Sequence, residues 1–116
     1  MSLNQKRGNY GERLAATYLE QKGYAILERN YRYRRAEIDI IAQHGDSLIF
    51  VEVKARTHNS YGFPEEAVDN KKAAMIMMAA DQYIYEKQWQ SDIRFDIVSI
   101  DLNASNSITH FEDVFF

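Results

Sequence analysis

Two short runs in this 116-residue chain carry acids and a lysine at spacings suited to phosphodiester hydrolysis: Glu37-Ile-Asp39 and Glu52-Val-Lys54. Gly45-Asp46 lies between them, and Gly-Asp between two strand-like runs is a hairpin signal. Antiparallel pairing about that turn sets residue i opposite residue 91 − i, whether the loop holds two residues or four. Asp39 then faces Glu52 and Glu37 faces Lys54, all on one side of the hairpin. Directly opposed Cβ atoms lie about 5 Å apart. Two carboxylates at that separation repel by about 3 kcal/mol at an effective dielectric near 20. Something positive has to sit between them, and a divalent metal with an ammonium alongside fits.

Cutting a phosphodiester requires metal ions held against the phosphate, an activated water and neutralisation of charge developing on phosphorus. Asp and Glu supply hard oxygen ligands for magnesium or manganese, which keep several waters and a substrate oxygen. A lysine two residues after a ligand on one strand points the same way. It can orient the attacking water or stabilise the pentavalent transition state. Glu52-x-Lys54 alone is a common pattern and would carry little weight. The opposed like charges, flanked by apolar Ile41 and Phe50, are harder to explain as an ordinary solvated face.

The elements that must position these residues follow from periodicity. Residues 9–22 read as a helix ended by Gly23, with Glu12 sharing the apolar stripe of Ala15 and Leu19. A first strand spans residues 24–33, followed by Arg34 and Arg35; with Arg32 they form a basic cluster among tyrosines. Such a cluster is an ordinary solvated turn in isolation, and beside an acidic metal site it could contact phosphates. Residues 37–43 and 47–56 are the second and third strands. One face carries Ile38, Ile40, Ala42, Ile49, Val51 and Val53. The other carries Glu37, Asp39, Ile41, Leu48, Phe50, Glu52, Lys54 and Arg56. A polar loop over residues 57–63 leads to Pro64, which opens a helix running to about Lys87, with Glu65 and Glu66 in its first turn. Its Ala73–Ala80 segment is apolar all round, which suggests sheet on one side and a second copy of the chain on the other. A strand over residues 93–102, a turn over 103–107 and an edge strand over 109–116 complete the chain. Asp96 is expected to make a core polar contact, and His44, His58 and His110 are assigned no role. The order predicts an α/β fold with a central mixed sheet flanked by helices.

The length suits one domain over residues 1–116. Hydrophobic content of 46% and charged content of 27% are ordinary for a globular chain. With no cysteine, disulfides and cysteine-based zinc sites are excluded and a reducing compartment is comfortable. Neither an apolar run near 18 residues nor a signal-peptide pattern is apparent, so the expectation is a cytoplasmic protein with no membrane partner. Net charge is −3, which argues against an unspecific nucleic-acid binder. Its distribution is uneven. Residues 1–60 hold ten basic against seven acidic residues, +3, while residues 61–116 hold four against ten, −6. A bound metal would cancel part of the acidic charge of the first half.

Asp39 followed by Glu52-Val-Lys54 resembles the core of the PD-(D/E)xK nuclease superfamily, whose fold is αβββαβ. More specific are Gly11-Glu12, Ala36-Glu-Ile-Asp-Ile-Ile-Ala42, Phe50-Val-Glu-Val-Lys-Ala-Arg56, Gly62-Phe-Pro-Glu-Glu-Ala-Val68 with Lys71, and Arg94-Phe-Asp-Ile-Val98. Together they resemble the YraN family of small bacterial proteins, similar in turn to archaeal Holliday-junction resolvases. The resemblance implies a restriction-endonuclease-like core and a magnesium- or manganese-dependent endonuclease. Its substrate would be DNA in preference to RNA, branched or otherwise structured, and cut by a homodimer. It implies Asp39 and Glu52 as metal ligands, Lys54 as the catalytic lysine and Glu12 as the helix-one acid beside the metal. Glu37 would be an outer ligand or a partner of Lys54. Arg34, Arg35, Arg56 and Lys71 are the candidate nucleic-acid contacts. Ile38 stands where the superfamily's name places proline. A catalytically silent nucleic-acid-binding or scaffold protein with the same fold is the alternative.

Overall fold

A computed structural model describes residues 3–57, 70–103 and 105–114, with side chains from Asn9 onward. Its elements are α1 (Leu3–Gln21), β1 (Ala25–Tyr33), β2 (Ala36–His44), β3 (Ser47–Arg56), α2 (Asn70–Lys87), β4 (Asp92–Asp101) and β5 (Ser107–Phe111). The five strands lie in one sheet in chain order. Neighbours run antiparallel except β3 and β4, which are parallel because α2 returns the chain across the sheet. The architecture is therefore the expected α/β arrangement with a mixed sheet between helices. The polar loop before Pro64 and that proline's helix opening lie outside the described residues.

α1 starts earlier than the apolar stripe reveals, since its first turns are polar. Gly23 terminates it with φ +92°, and the Tyr24 amide donates to the Leu19 carbonyl at 3.0 Å. This is the left-handed C-cap that glycine adopts without steric cost. Gly45, φ +61°, does the same for the β2–β3 turn. Ladder partners run from His44 and Ser47 to Ile40 and Val51, each pair obeying the 91 − i rule.

Each face of the sheet buries its own core. On the α1 side, Ala15 and Leu19 pack on Ile40, Ala42, Ile49, Val51, Val98 and Ile100. On the α2 side, Ile76, Ala79, Ala80 and Tyr83 cover Ile38, Ile41, Leu48 and Phe50. Each fully buried Ile, Leu or Phe contributes about 1.5–3 kcal/mol. The expected grouping of Ile38 with Ile40 needs correction. Ile38 belongs to the α2 side and Ile40 to the α1 side, so β2 changes sides between them, at Asp39. Among the described residues no helix is long and apolar enough to cross a membrane.

Candidate functional site

A close helix–sheet approach brings the first acid in. Gly11 is buried on α1, and a Cβ built there would lie 2.5 Å from the Cβ of Ala55 on β3. Glycine inside a helix costs about 1 kcal/mol relative to alanine, so its presence here has a packing reason. α1 rests on β3 through that gap, and Glu12 follows directly. One Glu12 oxygen, Oε1, is buried without a hydrogen-bond partner among the described residues. The Arg29 guanidinium is 3.8 Å away. Burial raises the Glu12 carboxyl above its ordinary range against the opposing pull of Asn30 and Arg29, with Glu37 and Glu52 adding to the rise.

Asp39 sits where the sheet comes apart. The β2–β3 ladder ends at Ile40–Val51, and the β1–β2 ladder omits the Asn30–Asp39 position, where Asn30 adopts φ +55°. The Val53 amide donates to Asp39 Oδ2 at 2.8 Å. A short acidic side chain has replaced a main-chain acceptor, a competition open to Asp and Asn. The strands therefore splay, and carboxylates from both faces converge on the opening. Burial, then the charge of Glu52, with smaller shares from Glu12 and Glu37, push the Asp39 carboxyl up to about 7.

Glu52 approaches from the α2 side with two lysines. Lys54 Nζ is 3.5 Å from Glu52 Oε1, and Lys72 Nζ is 2.7 Å from the same oxygen. Burial pushes the Lys54 ammonium down, assisted by its hydrogen bond with Lys72. Burial also opposes charge on Lys72, but hydrogen bonds to Glu52 and Lys54 outweigh it and raise that group. Lys72 thus holds the proton of the pair more firmly. Arg35, Ala36, Glu37, Asp39, Glu52 and Lys72 line an open cleft of about 220 Å³, floored by Met75 and Ile76.

Several expected partners are rearranged. Glu37 pairs with Arg32 at 2.8 Å instead of Lys54, because Arg32 is its direct partner in the β1–β2 ladder. Arg35 lines the cleft, whereas Arg34 is exposed at the β1–β2 turn, φ +58°, against the Tyr33 ring. Arg56 ends β3 half-buried, and strand alternation puts it on the side of Glu52 and Lys54. Lys71 is exposed, and its neighbour Lys72 enters the site. Helical spacing carried that signal: Lys72, Ile76, Ala79 and Tyr83 recur on the sheet-facing side, and Lys71 does not.

No three acidic or histidine side chains among the described residues are gathered tightly enough to enclose an ion as they stand. The donor chemistry nonetheless fits a hard cation. Glu12 presents a buried oxygen without a hydrogen bond among the described residues, Asp39 is held back from ionising by burial and then by the charge of Glu52, and Glu52 already grips an ammonium.

A second acidic centre lies on the α1 side of the sheet, around buried Asp96. Arg94 donates to both its oxygens, at 2.9 and 2.8 Å, and to the Tyr24 hydroxyl at 2.7 Å. His110 Nε2 lies 2.7 Å from Oδ2, and the Asp113 amide donates to Oδ1 at 3.0 Å. Lys22 Nζ is 3.0 Å from His110 Nδ1. An ammonium only donates, so Nδ1 accepts and Nε2–H donates to Asp96. The expected core polar contact is therefore present, and His110, assigned no role from sequence, belongs to it.

Residues 11–100 match the family described as Uncharacterised protein family UPF0102. The chain is 50% identical over 95 residues to a UPF0102 protein of Cytophaga hutchinsonii, covering 82% of this chain and 84% of the relative. It is 46% identical over 116 residues to one of Chlorobium chlorochromatii, covering 94% and 90%. A UPF0102 protein of Dictyoglomus thermophilum is 46% identical over 110 residues, covering 94% and 93%. The matched span holds Glu12, Asp39, Glu52, Lys54 and Lys72 together with Arg94 and Asp96, and the chain belongs to the UPF0102 family.

Proposed function

We propose that the cleft is the active site of a metal-dependent nuclease that hydrolyses DNA phosphodiester bonds. The observation that carries this reading is the convergence of Asp39 and Glu52 at the splayed strands, with Lys54 beside them. Asp39 and Glu52 would hold a magnesium or manganese ion, with Glu12 and Glu37 outside them. When bound, that ion supplies Lewis-acid polarisation of the phosphate and acidifies a bound water. The residues of the chain supply the rest. Lys54, whose charged form burial disfavours, can take a proton from the attacking water. Arg35 lines the cleft, and with Arg34, Arg56 and Lys71 it would hold the flanking phosphates in register.

The resolvase-like motifs extend the reading to branched or structured DNA, cut by a homodimer so that two strands meet two sites. Met77 and Met78, 44% and 41% exposed on α2, offer apolar surface for such a contact. The test incubates the protein with plasmid, single-stranded and branched DNA and with RNA, in magnesium or manganese. DNA cleavage that disappears in Asp39→Ala is expected. One observation favours a second reading: the Lys72–Glu52 ion pair already satisfies Glu52 without a metal. Failure to cut any substrate, or cutting indifferent to Asp39→Ala, would leave a nucleic-acid-binding protein that keeps the nuclease fold.

A further inference from the structure

Lys72 was not among the residues expected at the site, yet it makes the shortest ion pair there. Its Nζ lies 2.7 Å from Glu52 Oε1, against 3.5 Å for Lys54. It reaches across from α2, while the other charged groups lining the cleft come from the β1–β2 turn, β2 and β3. Glu52 faces electrostatic repulsion from Asp39 and Glu12, so it needs a cation whether or not a metal is bound. A divalent ion ligated by Glu52 would sit beside the ammonium already on Oε1, so two like charges compete for one carboxylate.

Resting on the nuclease reading above, we propose that Lys72 is the resident counter-cation of the cleft. It neutralises Glu52 in the ion-free protein and must be displaced before a divalent ion can bind. It is a positioning residue: it keeps the acidic opening assembled when no metal is present and sets the threshold for metal loading.

Calorimetric titration of manganese tests this without substrate, on wild type, Lys72→Met, Lys72→Arg, Lys87→Met and Glu52→Gln. Removing a competing charge-assisted hydrogen bond is expected to tighten manganese binding on the order of tenfold in Lys72→Met. Lys72→Arg keeps the competitor and should stay near wild type. Lys87→Met removes a lysine from the last turn of α2, away from the cleft, and should change nothing. Glu52→Gln should abolish binding. Wild-type binding lost in Glu52→Gln but unchanged in Lys72→Met would overturn the counter-cation and spare the metal site. Absence of binding in both wild type and Lys72→Met would overturn the metal site and the counter-cation together. Circular dichroism of each variant guards against loss of fold, and Lys72→Arg keeps the test decisive if Lys72→Met unfolds.

Discussion

Two aspartates, Asp96 buried and Asp39 half-buried, face opposite electrostatic surroundings in this fold. Asp96 receives five-point support: two contacts from Arg94, one from His110, one from the Asp113 amide, and a Tyr24 hydroxyl bracing the guanidinium. Burial alone would push its carboxyl up, but His110, Arg94 and the amide outweigh burial and hold it below the usual range. Asp39 has one main-chain donor and several carboxylates for neighbours, and it is pushed the other way, to about 7. A buried acid whose partners are complete is part of the framework. An acid left short of positive charge is poised to take it from outside, and that difference separates the structural centre from the candidate active site.

Truncating the satisfied acid should cost most. Asp96→Ala removes the buried acceptor shared by Arg94 and His110 and leaves Arg94 the more exposed Glu112 at 3.1 Å, and a loss of about 3 kcal/mol is expected in urea denaturation. Because the folded carboxyl lies below its ordinary value, the stability it contributes is present above the unfolded pKa and is lost as pH falls through the folded one. Stability of wild type should therefore drop below about pH 4 more steeply than that of Asp96→Asn. An equal slope in both would remove the contrast between the two centres.

Gly11→Ala comes next. Its methyl would meet the Cβ of Ala55, so α1 must move off β3 and carry Glu12 with it. Overpacking of this kind costs about 2 kcal/mol even after the gain in helix propensity. Ala55→Gly in the same chain should recover most of it, and a double-mutant cycle reads the coupling. Asp39→Asn is expected to act in the opposite direction. It keeps an acceptor for the Val53 amide and removes a charge that Glu52 and Glu12 repel, so a gain of about 1 kcal/mol at neutral pH should accompany lost manganese binding. A variant less stable than wild type would mean that the cleft is not electrostatically frustrated. Arg32→Ala should change stability least, by less than about 0.5 kcal/mol, since the Arg32–Glu37 pair is exposed.

Sequence periodicity revealed what is local. The β2–β3 register followed from one glycine turn and two runs of alternating side chains, but the ladder stops at Ile40–Val51, so Asp39 is not the ladder partner of Glu52 and instead accepts from the Val53 amide. The side change of β2 did not follow from them. It depends on the Asp39 carboxylate capturing an amide fourteen positions along the chain and on Asn30 adopting a left-handed conformation, neither of which leaves a local signature. That is why Ile38 was grouped with Ile40. Glu37 was matched to Lys54 but pairs with Arg32, its direct partner in the β1–β2 ladder. Lys72 was legible, because it shares the helical face of Ile76 and Tyr83. The Asp96 centre draws on the α1–β1 connection, β4 and β5, and Tyr24 and His110 become neighbours only once the sheet has formed.

The Val53 amide rests on a carboxylate where a sheet would ordinarily give it a carbonyl. Its exchange with solvent and its chemical shift therefore follow the state of Asp39 directly. A single backbone resonance in the central hairpin can report ion entry, in the unmodified protein and with no label placed near the cleft.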